Sequence, residues 1–281
     1  MSFINKLITT VLVPIFMCPF LPCINIAKIV YHEKDLISVT ENGISNEEDP
    51  IFFTAHRGVT AVAPENTIPA YEAAVENGYY SAECDIRLTS DNQWVLIHNS
   101  TVDGRFCQTG NVKDFTLDEI RTFSYKNGSN FWKYEDLKIP TLDEYLDVFV
   151  GTECRPQIEI KADGYDLLYT VVDAVKAKGL TEQAIVISFD LYQLKVIHDL
   201  DPSIELWYLM DEITPQTIAD AQAIGDNVWL SPNFKKNTME TIQLAVDAGI
   251  GVSFWTVNTV EDAKMLYDMG IRYIETDILC N

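Results

Sequence analysis

Charged and imidazole side chains occur within, or at the ends of, short apolar runs of this 281-residue chain, where burial is costly unless the groups are paired or bind an ion. The run Tyr80–Ile86 carries Glu83 and Asp85, and Gln157–Lys161 carries Glu159 and Lys161. The run Ile51–His56 leads into Arg57 and Gly58, and Trp94–His98 ends on the second of these histidines. Side chains alternate along a strand, so Glu83 and Asp85 share a face, as do Glu159 and Lys161, and Cys84 points away. Two interior salt bridges would be one use for these charges. Three carboxylates against one lysine favour another, a cation held between them. An all-oxygen ligand set suits a hard ion, Mg2+ or Ca2+, better than zinc. His56 and His98 have the near-neutral pKa needed for general acid and base work. Arg57 can grip a phosphate with two parallel hydrogen bonds, or form an ordinary ion pair with Glu65. The other two of the four histidines are placed elsewhere: His32 in a polar stretch and His198 in a helical pattern.

The turn chemistry of Ser90-Asp91-Asn92-Gln93 predicts a hairpin. With Asp91-Asn92 as a two-residue turn, Ser90 pairs with Gln93, Leu88 with Val95 and Asp85 with His98. Cross-strand partners share a face with β-carbons roughly 5 Å apart, so His98 is expected beside the proposed ion ligand. A one-residue slip would turn it to the other face.

The elements that must position these groups follow a regular alternation. Strands are expected at Ile51–His56, Tyr80–Ile86, Gln157–Lys161, Ala184–Phe189, Ile204–Leu209, Asn227–Ser231, Ile250–Thr256 and Arg272–Thr276. Helical patterns are expected at Thr67–Asn77, Tyr165–Lys178, Leu191–Asp199, Thr214–Ile224, Thr238–Ala248 and Val260–Met269. Several of these end at a glycine: Gly78, Gly179, Gly225, Gly249 or Gly270. The fold class is therefore α/β, a (β/α)8 TIM barrel in which eight parallel strands close without an edge. The open doubly wound alternative lacks its G-x-G-x-x-G fingerprint. Residues 99–139 break the rhythm and read as a small insertion after the second barrel strand, ending where Pro140-Thr141 starts a helix. In such barrels chemistry sits at the C-terminal ends of the strands, where the groups above fall.

Hydrophobic residues make up 47% of the chain, enough for one large core, so residues 51–281 read as one domain. Net charge is -22, from 42 acidic and 20 basic residues, which disfavours nucleic acid and anionic membrane surfaces as partners. An anionic substrate then needs local basic groups or a metal. Residues 1–28 join Lys6 to an uncharged stretch from Leu7 to Ala27, interrupted by prolines. This reads as a signal peptide or an N-terminal membrane anchor, with an extracytoplasmic protein that is secreted or tethered by that segment. Any membrane contact is expected through the anchor. Residues 29–50 read as a polar linker. Beyond the leader, Cys84, Cys107, Cys154 and Cys280 lack metal-type spacing, and free thiols and disulfides both remain open.

The strings His56-Arg57-Gly58, Pro64-Glu65-Asn66-Thr67, Glu83-Cys84-Asp85 and Ile97-His98 together resemble the glycerophosphodiester phosphodiesterase family. Ile158–Lys161, Trp255–Asn258 and Thr276-Asp277 continue the pattern in the same order, as does Ile139–Glu144 at the exit of the insertion. The resemblance spans Ile51 to Asp277. It implies a TIM barrel hydrolysing glycerophosphodiesters to glycerol 3-phosphate and an alcohol. Carried over, it makes Glu83, Asp85 and Glu159 the metal ligands and His56 and His98 the catalytic acid/base pair. Arg57 and Lys161 become phosphate contacts, and Trp255 lines the substrate pocket. Two departures fall in the insertion: Asn99 stands where the family has Asp, and the arginine expected after Asp103 is displaced to Arg105. A phospholipase D-like enzyme acting on lysophospholipid or sphingomyelin headgroups, with Phe131-Trp132 against lipid, is the nearest alternative. A non-catalytic phosphodiester-binding surface protein is the alternative of another class.

Overall fold

Apolar runs of four to eight residues need two covered faces, and the structure provides them by ringing a parallel sheet with helices. The computed structural model describes residues 35–46 and 48–281; the expected leader, residues 1–28, lies outside the described residues. The order is β1 (Ile37–Ser38), β2 (Phe52–Ala55), α1 (Ile68–Glu76), β3 (Ser81–Leu88), β4 (Trp94–Leu96), α2 (Leu117–Ile120), α3 (Leu142–Asp147) and β5 (Arg155–Ile160). Then come α4 (Leu168–Ala177), β6 (Ile185–Ser188), α5 (Leu191–Leu200), β7 (Glu205–Met210), α6 (Pro215–Gln222), β8 (Val228–Pro232), α7 (Met239–Ala248), β9 (Ser253–Phe254), α8 (Val260–Asp268), β10 (Tyr273–Thr276) and β11 (Leu279–Cys280).

The main sheet runs β8-β7-β6-β5-β3-β2-β10-β9, parallel throughout. Parallel bridges Leu230–Val252 and Asn233–Trp255 bring its two ends together. The result is the expected eight-stranded barrel. Each crossover helix buries one stripe: Ala70, Tyr71, Ala73 and Ala74 on α1, and Leu168, Val171, Val172 and Val175 on α4. Thr141 caps α3 in a reciprocal pair with Glu144, so the helix begins where Pro140-Thr141 predicts. Gly78, Gly179, Gly249 and Gly270 have positive φ beyond their helices. Gly225 does not; a β-carbon there would lie 2.6 Å from the His198 ring, so close packing is its reason.

The insertion has a core of its own, in which Val95, Ile97, Val102, Phe106, Val112, Ile120 and Ile139 are buried together. Among the described residues no helix is long and apolar enough to cross a membrane. Cys84, Cys107, Cys154 and Cys280 are free thiols.

Two sequence expectations change. The first is the hairpin register: Arg87 pairs with Val95 and Leu88 with Trp94, and the Ile97 amide donates to the Asp85 carbonyl at 2.9 Å. Asp85 therefore stands opposite Ile97, not His98. The turn takes an extra residue, with Thr89 and Gln93 joined across it and Asn92 at φ 59°. The second is the stretch read as a linker, which is tied to the barrel over its described part. β1 pairs in parallel with β11, Val39 is fully buried, and both Asp49 oxygens accept from Arg272, at 2.8 and 2.9 Å.

The Arg272 hydrogen bonds, with a further one from Tyr267, lower the Asp49 pKa from 3.8 to about 2. A carboxyl whose pKa is depressed in the folded state stabilises above its unfolded value and loses that contribution as pH falls through the folded one. Asp49→Asn should therefore melt slightly below the parent near neutral pH, a small effect because the pair is exposed to solvent. That gap should close as pH falls from 3.8 towards 2. Thermal melts at a series of pH values test this; a gap that does not change with pH rules out the charged pair as its source.

Candidate active site

The C-terminal ends of β2, β3, β5 and β10 gather the charged groups. His56 and Arg57 directly follow β2, Glu83 and Asp85 lie on β3, Glu159 on β5 with Lys161 just beyond it, and Glu275 lies on β10. Parallel pairing puts Asp85 level with Glu159, and Glu83 level with Gln157. Glu83 and Asp85 are each 1% exposed.

Local backbone aims the first strand's groups. Arg57 adopts φ 58°, an uncommon conformation for a side-chain-bearing residue, and its amide donates to Glu83 Oε2 at 2.8 Å. Gly58 follows at φ 78°, and a β-carbon there would lie 2.7 Å from Ala70 Cβ and 2.8 Å from its carbonyl carbon. Only glycine fits between this turn and α1. Arg57 Nη1 donates to Glu65 Oε2 at 3.3 Å, and its Nε lies 3.4 Å from Asp85 Oδ2. The ion pair with Glu65 and a place beside the acidic cluster are thus both present.

Oxygen atoms of Glu83, Asp85 and Glu159 lie within 4.8 Å of one another. Glu83 Oε1 and Asp85 Oδ1 are buried and accept no hydrogen bond. Unsatisfied buried carboxylate oxygens facing one another fit a hard divalent cation, which would meet their unused lone pairs and offset their repulsion. Lys161 supplies part of the compensation: its Nζ donates to Glu159 Oε1 at 2.6 Å and lies 3.3 Å from Asp85 Oδ1. Burial, then repulsion from Asp85 and its neighbours, pushes Glu83 well up and Glu159 to about 7. Burial also opposes ionisation of Asp85, but the charges of Lys161 and Arg57 outweigh it and hold that carboxyl low.

The two histidines are biased in opposite senses. Burial works against a charged His56, yet Asp277 Oδ1, 2.8 Å from Nδ1, and the charge of Glu275 raise its pKa. Asn258 braces Asp277 by donating to Oδ2 at 2.7 Å and accepting from the Asp277 amide at 2.9 Å. Burial, with Arg57 and Lys161 nearby, lowers His98 despite the attraction of Asp85. His98 feels the charge of Asp85 although the register puts Ile97 opposite that residue; β4 ends at Leu96, so strand alternation no longer governs it. Its Nδ1 lies 3.0 Å from Asn99 Oδ1, so the amide that replaces an acid there still touches the ring. Trp255 stands after β9, its Nε1 donating to the Ser231 carbonyl at 2.8 Å and its ring meeting Phe189 edge-on at 5.8 Å.

Several positioning groups escaped the sequence reading. Asn66 donates to Asp85 Oδ2 at 2.7 Å and accepts from the Asp85 amide at 3.0 Å, fixing that carboxylate from both sides. Arg87 donates to the His98 carbonyl at 2.9 and 2.7 Å and to the Lys161 carbonyl at 2.9 Å, tying the histidine to the lysine. Glu275 shares a second grouping with His56 and Glu83. Its signal was available, since a glutamate in the apolar strand Tyr273–Thr276 obeys the same rule that singled out Glu83.

Residues 56–279 match the model of the Glycerophosphoryl diester phosphodiesterase family. A glycerophosphodiester phosphodiesterase of Caldanaerobacter subterraneus is 32% identical over 79% of this chain and 92% of its own. One from Bacillus subtilis is 28% identical over 86% and 88% respectively. Among solved structures, a glycerophosphodiester phosphodiesterase from Parabacteroides distasonis superposes with a TM-score of 0.67 at 26% identity, covering 81% of this chain and 94% of that one. A phosphodiesterase from Oleispira antarctica, solved in complex with the product sn-glycerol-3-phosphate, gives 0.71 at 22% identity, covering 86% and 96%.

Proposed function

Because the chain belongs to the glycerophosphoryl diester phosphodiesterase family, we propose that it hydrolyses glycerophosphodiesters to sn-glycerol 3-phosphate and an alcohol, dependent on a divalent cation, Mg2+ or Ca2+. The observation that carries the reading is the meeting of Glu83, Asp85 and Glu159, with unsatisfied oxygens, beside Arg57 and Lys161, with His56 grouped with Glu83 and Glu275 and with His98 feeling the charge of Asp85. The product bound to the Oleispira antarctica relative agrees with it.

Glu83, Asp85 and Glu159 would hold the cation. When bound, it supplies Lewis-acid neutralisation of a non-bridging phosphate oxygen. Arg57 and Lys161 add fixed positive charge on the same phosphate and orient it. One histidine takes the proton of the attacking oxygen, from water or the glycerol 2-hydroxyl; the other delivers a proton to the departing alkoxide. Asp277 holds His56 through Nδ1, so Nε2, 3.8 Å from Glu275 Oε1, is the atom that would make that exchange. Arg87 and Asn99 hold His98 from its carbonyl and its Nδ1. Trp255 walls the pocket.

A panel of glycerophosphodiesters assayed with added Mg2+ or Ca2+ tests the proposal through release of sn-glycerol 3-phosphate. Including lysophosphatidylcholine beside glycerophosphocholine separates this reading from the phospholipase D-like one. Release from none of the diesters would sink it. The leader sequence supports a second proposal, that the protein is exported and either secreted or anchored by residues 1–28; recovery of the native protein only in cytosol would overturn that.

A further inference from the structure

Glu65 lies between two guanidinium groups that come from different parts of the chain. Arg57, from the turn after β2, gives it one hydrogen bond, from Nη1 to Oε2 at 3.3 Å. Arg105, from the insertion, gives it two contacts: Nε donates to Oε1 at 3.0 Å, and Nη2 pairs closely with Oε2. Arg105 is itself held in place. Its Nη1 donates to Asn127 Oδ1 at 3.2 Å, its carbonyl accepts from the Lys126 amide at 2.9 Å, and the next residue, Phe106, is buried in the insertion core. The side chains of Arg57, Glu65 and Arg105 are 19%, 16% and 28% exposed, so solvent screens them only partly.

Arg57 also has a second carboxylate, Asp85 Oδ2, 3.4 Å from its Nε, whereas on Glu65 the shorter, two-point pairing belongs to Arg105. We propose that Arg105 is a positioning residue for phosphate binding: it engages the charge of Glu65 and so weakens that carboxylate's hold on the Arg57 guanidinium, which an anionic phosphate can then grip. This rests on the phosphodiesterase reading for its substrate, not for its geometry. Without Arg105, Glu65 turns its whole charge on Arg57, and an incoming phosphate must compete with a carboxylate already in place. The insertion thereby sets phosphate affinity without a residue of its own on the phosphate.

The test uses the full chain in Mg2+ buffer, with calorimetric titration of sn-glycerol 3-phosphate and steady-state hydrolysis of glycerophosphocholine. Arg105→Ala should raise both the Kd and the KM by roughly 3–10-fold, the scale of a partly exposed charge coupling. The kcat should stay within about twofold, because ground and transition states lose the same contact. Adding Glu65→Gln to that variant keeps a hydrogen-bond acceptor for Arg57 but removes the competing charge, and should return Kd towards the parent value. A purely structural role predicts the reverse: a lowered Tm and weak binding that Glu65→Gln does not relieve. Unchanged Kd in Arg105→Ala, a double variant as weak as the single one, or a parent protein that does not bind glycerol 3-phosphate would each overturn the inference. A parent that binds it but hydrolyses no diester would sink the functional reading alone, and the titrations would still decide the role of Arg105.

Discussion

Glu83→Gln and Glu159→Gln should each lower turnover by on the order of 10²–10³-fold, the scale of losing one charged contribution to a preorganised site. Chelation should abolish the activity of the parent protein. The buried, unsatisfied oxygens of Glu83 and Asp85 require this pattern if a cation is their partner. Stability should move the other way. Burial and like charge push Glu83 and Glu159 up in the ion-free protein, so a neutral amide of the same shape relieves repulsion there. The ion-free Glu83→Gln variant should melt at or above the parent temperature, and Glu159→Gln near it, because the relief is offset by the lost charge opposite Lys161. Saturating Mg2+ or Ca2+ should raise the parent Tm, since a ligand that binds only the folded state stabilises it, and should raise the variants' far less. Full activity after chelation, or equal thermal shifts in parent and variants, would remove the cation from the account. Asp85→Asn differs, because Asp85 also balances Lys161 and Arg57; it should lose both activity and stability.

His56→Ala and His98→Ala should each reduce kcat by well over ~10²-fold, as expected for loss of a general acid or base. The parent pH profile of kcat/KM should be bell-shaped, one limb for each ring, and each variant should lose the limb its ring supplies. The opposite biases of the two rings, His56 raised and His98 lowered, make the separation of the limbs a direct readout of the site. Near-normal turnover in either variant would reject the role of that ring. Asp277→Asn should show a milder defect together with a downward displacement of the His56 limb, because the carboxylate raises that pKa.

The site was readable in the sequence wherever a charged residue interrupts an apolar strand. Glu83, Asp85, Glu159 and Lys161 stand out because an isolated charge inside a barrel strand is costly, and period-two alternation says which of them share a face. His56, Arg57 and Gly58 stand out as a strand end. Glu275 obeys the same rule. Asn66, Arg87 and Arg105 were not readable as positioning groups, since a polar residue in a loop or at a strand exit has many ordinary uses. Asn66 clamps Asp85 only because the turn after β2 folds over β3. Arg87 ties His98 to Lys161 only because β3 lies between β4 and β5.

The linear chain determined the barrel, its eight strands, the insertion and the faces its charged groups share. All of these follow from local periodicity and from the penalty on buried charge. Tertiary structure alone decided the hairpin register, since an extra turn residue replaced one set of cross-strand partners with another at little local cost. It also decided that Arg87 ties the His98 carbonyl to that of Lys161, that Asp277 holds His56 across 221 residues of sequence, and that Arg105 shares Glu65 with Arg57. Those outcomes depend on which distant segments become neighbours. Short-range patterning carries no term for that; only the closed barrel does.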